Sequence, residues 1–159
     1  MKPQLNLRFE KCNFAIPEHC KDFLELLKAY MTDPMGDAKP LSASQEKELI
    51  MGLSSHPSSF VLFASNEGVR VAMASCFINF STFKVKPYTY LHDIIVYKNY
   101  RNLGIGKALL EEIIRMAEEE GHCKVTLEVR EDNASAQQLY KELGFADCKP
   151  PMWFWTKNL

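Results

Sequence analysis

The sequence predicts an α/β or α+β domain built around a single mixed β-sheet. Short segments with alternating or continuous apolar residues have the period of strands, and longer segments repeat their apolar residues at the spacing of a helix face. Their order supports this class, because two helices and a run of strands are followed by an alternation of strand and helix. With 159 residues the chain has the length of one ordinary domain, and we expect a single domain over residues 1–159.

The N-terminal third is predicted to contain one strand and two helices. Apolar and polar residues alternate in Leu5–Phe9, as on a half-buried strand. Pro17 is typical of the first turn of a helix, and apolar residues share one face of the stretch after it. A second helix follows the turn-rich connection Thr32–Pro40, and we expect Ser44 to cap its N-terminus.

The middle of the chain is predicted to form three strands and then a long helix. The strands are Ser59–Ala64, Val69–Phe80 and Tyr88–Val96. The apolar period then changes to that of a helix over Gly104–Glu120, which Gly121 ends.

The C-terminal segment is predicted to continue the alternation. A strand at Val125–Val129 precedes a short helix that Asn133 opens and Gly144 ends. Phe145 is expected to begin a further strand. Met152–Thr156 is expected to be the last strand, either within the core or, alternatively, at an interface.

Composition excludes several classes of function. Apolar residues make up 47% and charged residues 25% of the chain, a balance typical of soluble globular proteins. The formal net charge of −1 does not favour nucleic-acid binding. No apolar run has the length of a membrane span and Met1–Ala15 lacks the apolar stretch of a signal peptide, so we expect a cytoplasmic protein with no membrane partner. The five cysteines form no CxxC pair, which favours reduced thiols and no metal.

The segment between Val96 and Gly104 has the features of a phosphate site. The N-terminus of a helix presents unpaired N–H groups and a partial positive charge. Glycines at positions 104 and 106 allow a ligand close to the backbone, and Arg101 and Lys107 add positive charge. The same glycines would also suit a plain connection in which they serve only packing.

Spacing excludes the two common nucleotide motifs. A Walker loop ending at Gly106-Lys107 would need Gly at position 101 and Ser or Thr at position 108, where the chain has Arg101 and Ala108. A dinucleotide fingerprint would need Gly at position 109, which is Leu109. The segment therefore predicts a pyrophosphate site of another kind.

Residues Tyr90–Phe145 resemble the GNAT acetyltransferase superfamily. Its loop pattern, Arg or Gln-x-x-Gly-x-Gly or Ala, is matched by Arg101-x-x-Gly104-x-Gly106 after a strand and at the start of a helix. A second family element matches downstream, at Glu128, Val129, Arg130, Asn133, Ala136, Tyr140, Leu143, Gly144 and Phe145. The resemblance implies the GNAT fold, a single mixed, mostly antiparallel twisted sheet of about six to seven strands flanked by about four helices.

The resemblance also implies acetyl-CoA as the cosubstrate and assigns residues to it. In the family the pyrophosphate lies on backbone N–H groups of the loop, and the strand before the loop pairs with the pantetheine arm. The matching residues are Ile94, Ile95, Val96, Arg101, Asn102, Gly104, Ile105, Gly106, Lys107, Asn133, Ala136 and Tyr140. The alternatives are a buried strand for residues 94–96 and a simple helix N-cap for Asn133.

Two residues are assigned to catalysis. Tyr140 matches the general acid of the family, since a phenol can give a proton to a leaving thiolate, although it could instead only pack its helix. Polyamine-type relatives carry Tyr-Leu-Glu-Asp before the loop with Glu as the base, and here the stretch reads Tyr90-Leu91-His92-Asp93. His92 is therefore expected to be the base, either directly or through a water molecule, although it could instead only line the wall of a cleft. Asp93 would point to the opposite face of a regular strand, so we do not expect it to orient His92.

The predicted activity is transfer of an acetyl group to a primary amine by direct attack in a ternary complex. No cysteine lies in the matched motifs, so an acyl-enzyme is not expected. The expected acceptor is a small amine or an amino-acid-like molecule. A protein or peptide acceptor and a non-catalytic acyl-CoA-binding module are the alternatives, and the resemblance makes a homodimer a further possibility.

Overall fold

A computed structural model of the protein describes residues 5–159. Within them the chain forms two compact units, one that extends to Glu128 and one that comprises Val129–Leu159. The first unit contains the whole β-sheet, and the second contains the last helix. The expectation of a single domain stays a prediction.

One sheet organises the first unit. Its strands are β1 (Leu7–Lys11), β2 (Ser59–Asn66), β3 (Val69–Ser81), β4 (Lys86–Val96) and β5 (Val125–Leu127), in the spatial order β1-β2-β3-β4-β5. Neighbours from β1 to β4 are antiparallel, and β5 runs parallel to β4. The mixed, mostly antiparallel sheet is confirmed, but residues 5–159 contribute five strands rather than about six to seven.

Four α-helices accompany the sheet within the described residues. They are α1 (Pro17–Met31), α2 (Ala43–Ser55), α3 (Ile105–Glu119) and α4 (Ala134–Glu142), and a short 3-10 helix spans Lys98–Tyr100. The expected number of helices and the expected mixed α/β class are confirmed. No helix in this part of the chain combines the length and the apolar character needed to cross a bilayer.

The core holds the end of β4 in place. One buried cluster joins α1 to the sheet and consists of Phe23, Leu26, Val61, Phe63, Met73 and Ile95. All five residues from Val61 to Ser65 are buried, and because successive strand residues point to opposite faces, both faces of β2 are covered. α3 also packs against the sheet through a buried stripe that begins at Ile105. Ile95 thus anchors β4 directly before the loop that leads to α3.

The second helix starts at a different cap from the predicted one. Ser42 is the N-cap of α2: its Oγ accepts the Gln45 N–H at 3.3 Å, and Gln45 Oε1 accepts the Ser42 N–H at 2.9 Å. Ser44 lies inside the helix and donates its hydroxyl to Glu48. The assignment of Ser44 as cap was wrong because the reciprocal bonds of a capping box favour Ser42.

The two strands predicted at the C-terminus are wrong. Residues 145–159 form no β-ladder in the described structure. The side chains of the aromatic run from Met152 to Trp155 are 77–87% exposed, which also excludes a core strand there. Aromatic residues favour strands by packing on a pleated surface, and without such a surface their propensity does not form one. A homodimer stays a prediction.

Candidate active site

The pairing between β5 and β4 ends just before the strand residues that were assigned to the cosubstrate. β5 pairs with β4 only at Thr89–Leu91, whereas β4 continues to Val96 and pairs with β3 along its other side. Among the described residues, the backbone of residues 92–96 therefore has no strand partner on the β5 side. An unpaired strand edge offers N–H and C=O groups to an extended ligand.

The three strand residues assigned to the cosubstrate lie on this edge. The Ile95 side chain is 5% exposed and belongs to the core, so only its backbone faces the opening. The Val96 carbonyl already accepts a hydrogen bond from Arg101 Nε at 3.0 Å. The buried-strand interpretation is thus confirmed for Ile95, and pairing with a ligand is left to its backbone and that of Ile94.

A β-bulge lies at His92. In the register with β3, Leu91 faces Cys76 and Asp93 faces Ser75, so His92 is the extra residue. Its side chain is 55% exposed, and Nε2 lies 4.0 Å from Asp93 Oδ2. The bulge interrupts the regular alternation of side chains here. The expectation that Asp93 does not orient His92 stays a prediction. Burial raises the pKa of the Asp93 carboxyl above its usual range, and the neighbouring His92 opposes that rise.

Two further residues contact each other beside His92. Tyr90 Oη lies 3.3 Å from His92 Nδ1 and donates a hydrogen bond to Glu128 Oε1 at 2.9 Å. Burial, followed by the hydrogen bond to Glu128, raises the pKa of the Tyr90 phenol to about 12. Both residues stand within the matched motifs of the sequence, but neither was predicted to be a partner of His92. The position of Tyr90 could have indicated the contact, because residues two positions apart on a strand share one face of the sheet.

The loop before α3 has the backbone conformation expected of a ligand-binding turn. Asn102 has φ of 61° and Gly104 has φ of 87°, both in the left-handed region. Gly104 is the N-cap of α3, and no side chain caps this end. The N–H groups of the first helical turn, at Ile105, Gly106 and Lys107, have no acceptor within the helix. A Cβ at Gly104 would meet nothing within 4 Å, so this backbone is open to a close approach.

Arg101 has a partner that the sequence did not indicate. Its Nη2 donates to Asp33 Oδ2 at 2.7 Å, which links the loop to the connection between α1 and α2. The backbone N–H of Met35 and then the guanidinium hold the pKa of Asp33 below its usual range. The positive charge of Arg101 is therefore paired with a carboxylate, and binding of an anion by the backbone N–H groups of this loop stays a prediction.

The second unit contains the other matched element from Val129 onwards. Asn133 is the N-cap of α4, and its side-chain oxygen accepts the Ala136 N–H at 3.2 Å, so the capping prediction is confirmed. Tyr140 is 8% exposed, and its ring centroid lies 5.9 Å from that of Phe145. Packing by Tyr140 is thus confirmed, and its role as an acid stays a prediction.

The remaining titratable groups of interest are two cysteines and the possible metal ligands. Burial raises the pKa of Cys12 and of Cys76 to about 12, which keeps both as thiols. Within residues 5–159, no three His, Cys, Asp or Glu side chains are grouped as a metal ion would require.

Comparison with known proteins identifies the family. The family model described as the acetyltransferase (GNAT) family matches residues 21–145. This chain belongs to the GNAT family. The resemblance drawn from residues 90–145 is therefore confirmed, and it extends over most of this chain.

Individual GNAT relatives differ in what they acetylate. The [ribosomal protein bS18]-alanine N-acetyltransferase of Escherichia coli K12 is 37% identical over 52% of this chain and 60% of its own length. The thialysine N-epsilon-acetyltransferase of Bos taurus is 35% identical over 45% of this chain and 41% of its own length. The matched regions thus span about three fifths or less of these curated relatives.

The fold also matches a solved GNAT structure over its full length. The aminoglycoside N-acetyltransferase AAC(6')-Iy in complex with CoA has a TM-score of 0.74 and 17% identity, and the match covers 100% of this chain and 99% of that one. At this identity the likeness establishes the fold alone.

Proposed function

We propose that this protein is an acetyl-CoA-dependent N-acetyltransferase that acetylates a primary amine by direct attack in a ternary complex. The observation that carries the proposal is the unpaired edge of β4, which leads from His92 into the open N-terminus of α3. An edge that pairs with an extended arm and a helix N-terminus that binds phosphate suit the two parts of coenzyme A.

The residues of the loop fit the cosubstrate. Backbone N–H groups of Asn102, Gly104, Ile105, Gly106 and Lys107 would hold the pyrophosphate, supported by the open space at Gly104. Arg101 would contribute its backbone, since its side chain is bound to Asp33. Backbone groups of Ile94 and Ile95 would pair with the pantetheine arm, and the Ile95 N–H would polarise the thioester carbonyl. In the second unit Asn133, Ala136 and Tyr140 keep their assignment to the coenzyme.

His92 and Tyr140 would move the two protons. Bound acetyl-CoA would supply a thioester whose acetyl carbon forms the new C–N bond as its C–S bond breaks. His92 would accept the proton that the amine loses. Tyr140 would give its phenolic proton to the sulfur that leaves. Transfer through Cys12 or Cys76 is disfavoured, because their raised pKa values leave almost no thiolate at neutral pH.

The acceptor we propose is a small amine or an amino-acid-like molecule. A second candidate is the N-terminal amine of a peptide, which the similarity to the E. coli bS18-alanine enzyme favours. Both candidates present one primary amine to His92, so the same chemistry serves either.

A panel of acceptors tests this function. CoA release would be measured with diamines, aminoglycosides, amino acids, lysine analogues and peptides that begin with alanine. We expect turnover with one group of amines and a fall in kcat of about a hundredfold or more for Tyr140→Phe and for His92→Gln, the range of general acid–base catalysis. The Michaelis constant for acetyl-CoA should change little.

Tyr88→Phe is the matched control, because it also removes a tyrosine hydroxyl, but one whose neighbour is Asn79 Nδ2, at 3.5 Å, and not an assigned acid or base. If Tyr140→Phe and His92→Gln turn over at the wild-type rate, the assigned acid and base are wrong. Binding of CoA in calorimetry without turnover of any amine would favour the non-catalytic module instead.

A further inference from the structure

Tyr90 connects His92 to a carboxylate. The parallel register aligns Leu91 with Leu127, which brings Glu128, the residue after β5, next to the bulged His92. Tyr90 Oη lies between them, 3.3 Å from His92 Nδ1 and 2.9 Å from Glu128 Oε1. The two rings of Tyr90 and His92 are 5.7 Å apart. All three side chains belong to the first unit.

The chemistry of these groups fixes the direction of each hydrogen bond. A carboxylate only accepts, so the single phenolic proton of Tyr90 points to Glu128. The Tyr90 oxygen then has only lone pairs for His92, so Nδ1 must be the donor. A neutral imidazole carries one ring proton, and a proton on Nδ1 leaves the lone pair on Nε2.

The other neighbours of His92 do not compete for Nδ1. Asp93 Oδ2 lies on the Nε2 side at 4.0 Å. On β3 the neighbour is Phe77, whose ring centroid lies 5.9 Å away and offers no hydrogen-bonding atom. Among these neighbours only Tyr90 is within hydrogen-bond distance of Nδ1.

We propose that Tyr90 and Glu128 are positioning residues that hold His92 in the tautomer whose Nε2 accepts a proton. The base would then be His92 hydrogen-bonded through Tyr90 to Glu128, rather than an isolated histidine. The free lone pair on His92 Nε2 would face the acceptor amine. This inference rests on the proposed function for its catalytic meaning, but the tautomer itself is a property of the free protein.

Nitrogen-15 spectra of the histidine rings test the tautomer without any substrate. The chain has four histidines, and His92→Gln identifies the signals of His92. In spectra of the neutral imidazole we expect the wild type to show Nδ1 protonated. We expect Tyr90→Phe to shift His92 towards protonated Nε2, while Tyr88→Phe, a hydroxyl removed from the same strand, leaves the signals unchanged. An unchanged tautomer in Tyr90→Phe overturns the inference even if the enzyme is active.

Kinetics then separate positioning from direct chemistry by Glu128. Tyr90→Phe and Glu128→Ala should lower kcat about ten- to a hundredfold, by analogy with the loss of a group that orients a metal-bound histidine. Glu128→Gln keeps an acceptor oxygen for the Tyr90 hydroxyl and should restore most of the rate and the wild-type tautomer. The Michaelis constant for acetyl-CoA should stay the same in all of these variants.

Two outcomes separate the two proposals. If Glu128→Gln is as slow as Glu128→Ala while His92 keeps its tautomer, Glu128 itself takes the proton and the positioning role is overturned. If no amine is turned over but the tautomer responds to Tyr90→Phe, the chain of hydrogen bonds stands and the proposed function fails.

Discussion

Gly104→Ala separates backbone strain from ligand binding at the loop before α3. Gly104 has φ of 87° and a Cβ there would meet nothing within 4 Å, so alanine would be strained but would clash with no protein atom. An L-residue in this conformation costs about 1 to 2 kcal/mol. Gly68 and Gly121 have φ of 83° and 73° and the same open surroundings, so their alanine variants should lose a similar free energy of unfolding.

Only the change at Gly104 should weaken coenzyme binding. The new methyl group would stand where the pyrophosphate approaches the backbone, and we expect the dissociation constant for CoA to rise at least about tenfold, or about 1.4 kcal/mol. With free CoA at about a hundred times the wild-type dissociation constant, the wild type gains about 2.7 kcal/mol against unfolding. A tenfold weaker variant would gain about 1.4 kcal/mol.

Urea unfolding with and without CoA measures both effects in one experiment. Gly68→Ala and Gly121→Ala control for strain, since they should unfold earlier yet keep the full gain from CoA. The reasoning is refuted if Gly104→Ala keeps that full gain, because a loop that tolerates the methyl group does not hold the pyrophosphate closely.

Two further predictions concern the connection between α1 and α2. Gly36→Ala should lower the free energy of unfolding by about 1–3 kcal/mol, because a Cβ there would lie 2.0 Å from the Tyr30 carbonyl oxygen. Gly52→Ala, in the open interior of α2, should instead raise it by about 0.5–1 kcal/mol, and equal effects in urea unfolding would contradict this account. The pKa of Asp33 lies below its usual range because a backbone N–H and then Arg101 stabilise the carboxylate. The contribution of Asp33 to the free energy of unfolding is therefore fully present above the unfolded-state pKa of about 4 and is lost as the pH falls through the lower folded value. The free energy of unfolding of the wild type should therefore exceed that of Asp33→Asn by up to about 1 kcal/mol at pH 7, since the pair is partly screened by solvent. Denaturation across a pH series should show this difference closing in acid, and a difference that does not depend on pH would disprove the assignment.

The loop and its helix were predictable because their signals are local. A glycine at a left-handed position, a helix N-terminus and an asparagine cap are each read from a few adjacent residues. Gly104 and Asn133 therefore have the conformations that the sequence led us to expect. Ser44 shows the limit, because two serines stood close together and the reciprocal bonds with Gln45 favoured Ser42.

The surroundings of His92 required the folded chain. The bulge at His92 depends on the register between β3 and β4, which alternation within β4 alone cannot indicate. Arg101 meets Asp33 from far along the chain, and Tyr90 meets Glu128 across two parallel strands.

The sequence by itself determined the family, the loop conformation at Gly104 and the helical and strand periods, since these depend on neighbouring residues and on short motifs at set spacing. Tertiary structure alone decided that the predicted C-terminal strands do not form and which side chains surround His92. A strand needs a partner edge, and a histidine takes its tautomer from the groups that touch it, so both depend on residues brought together by the fold.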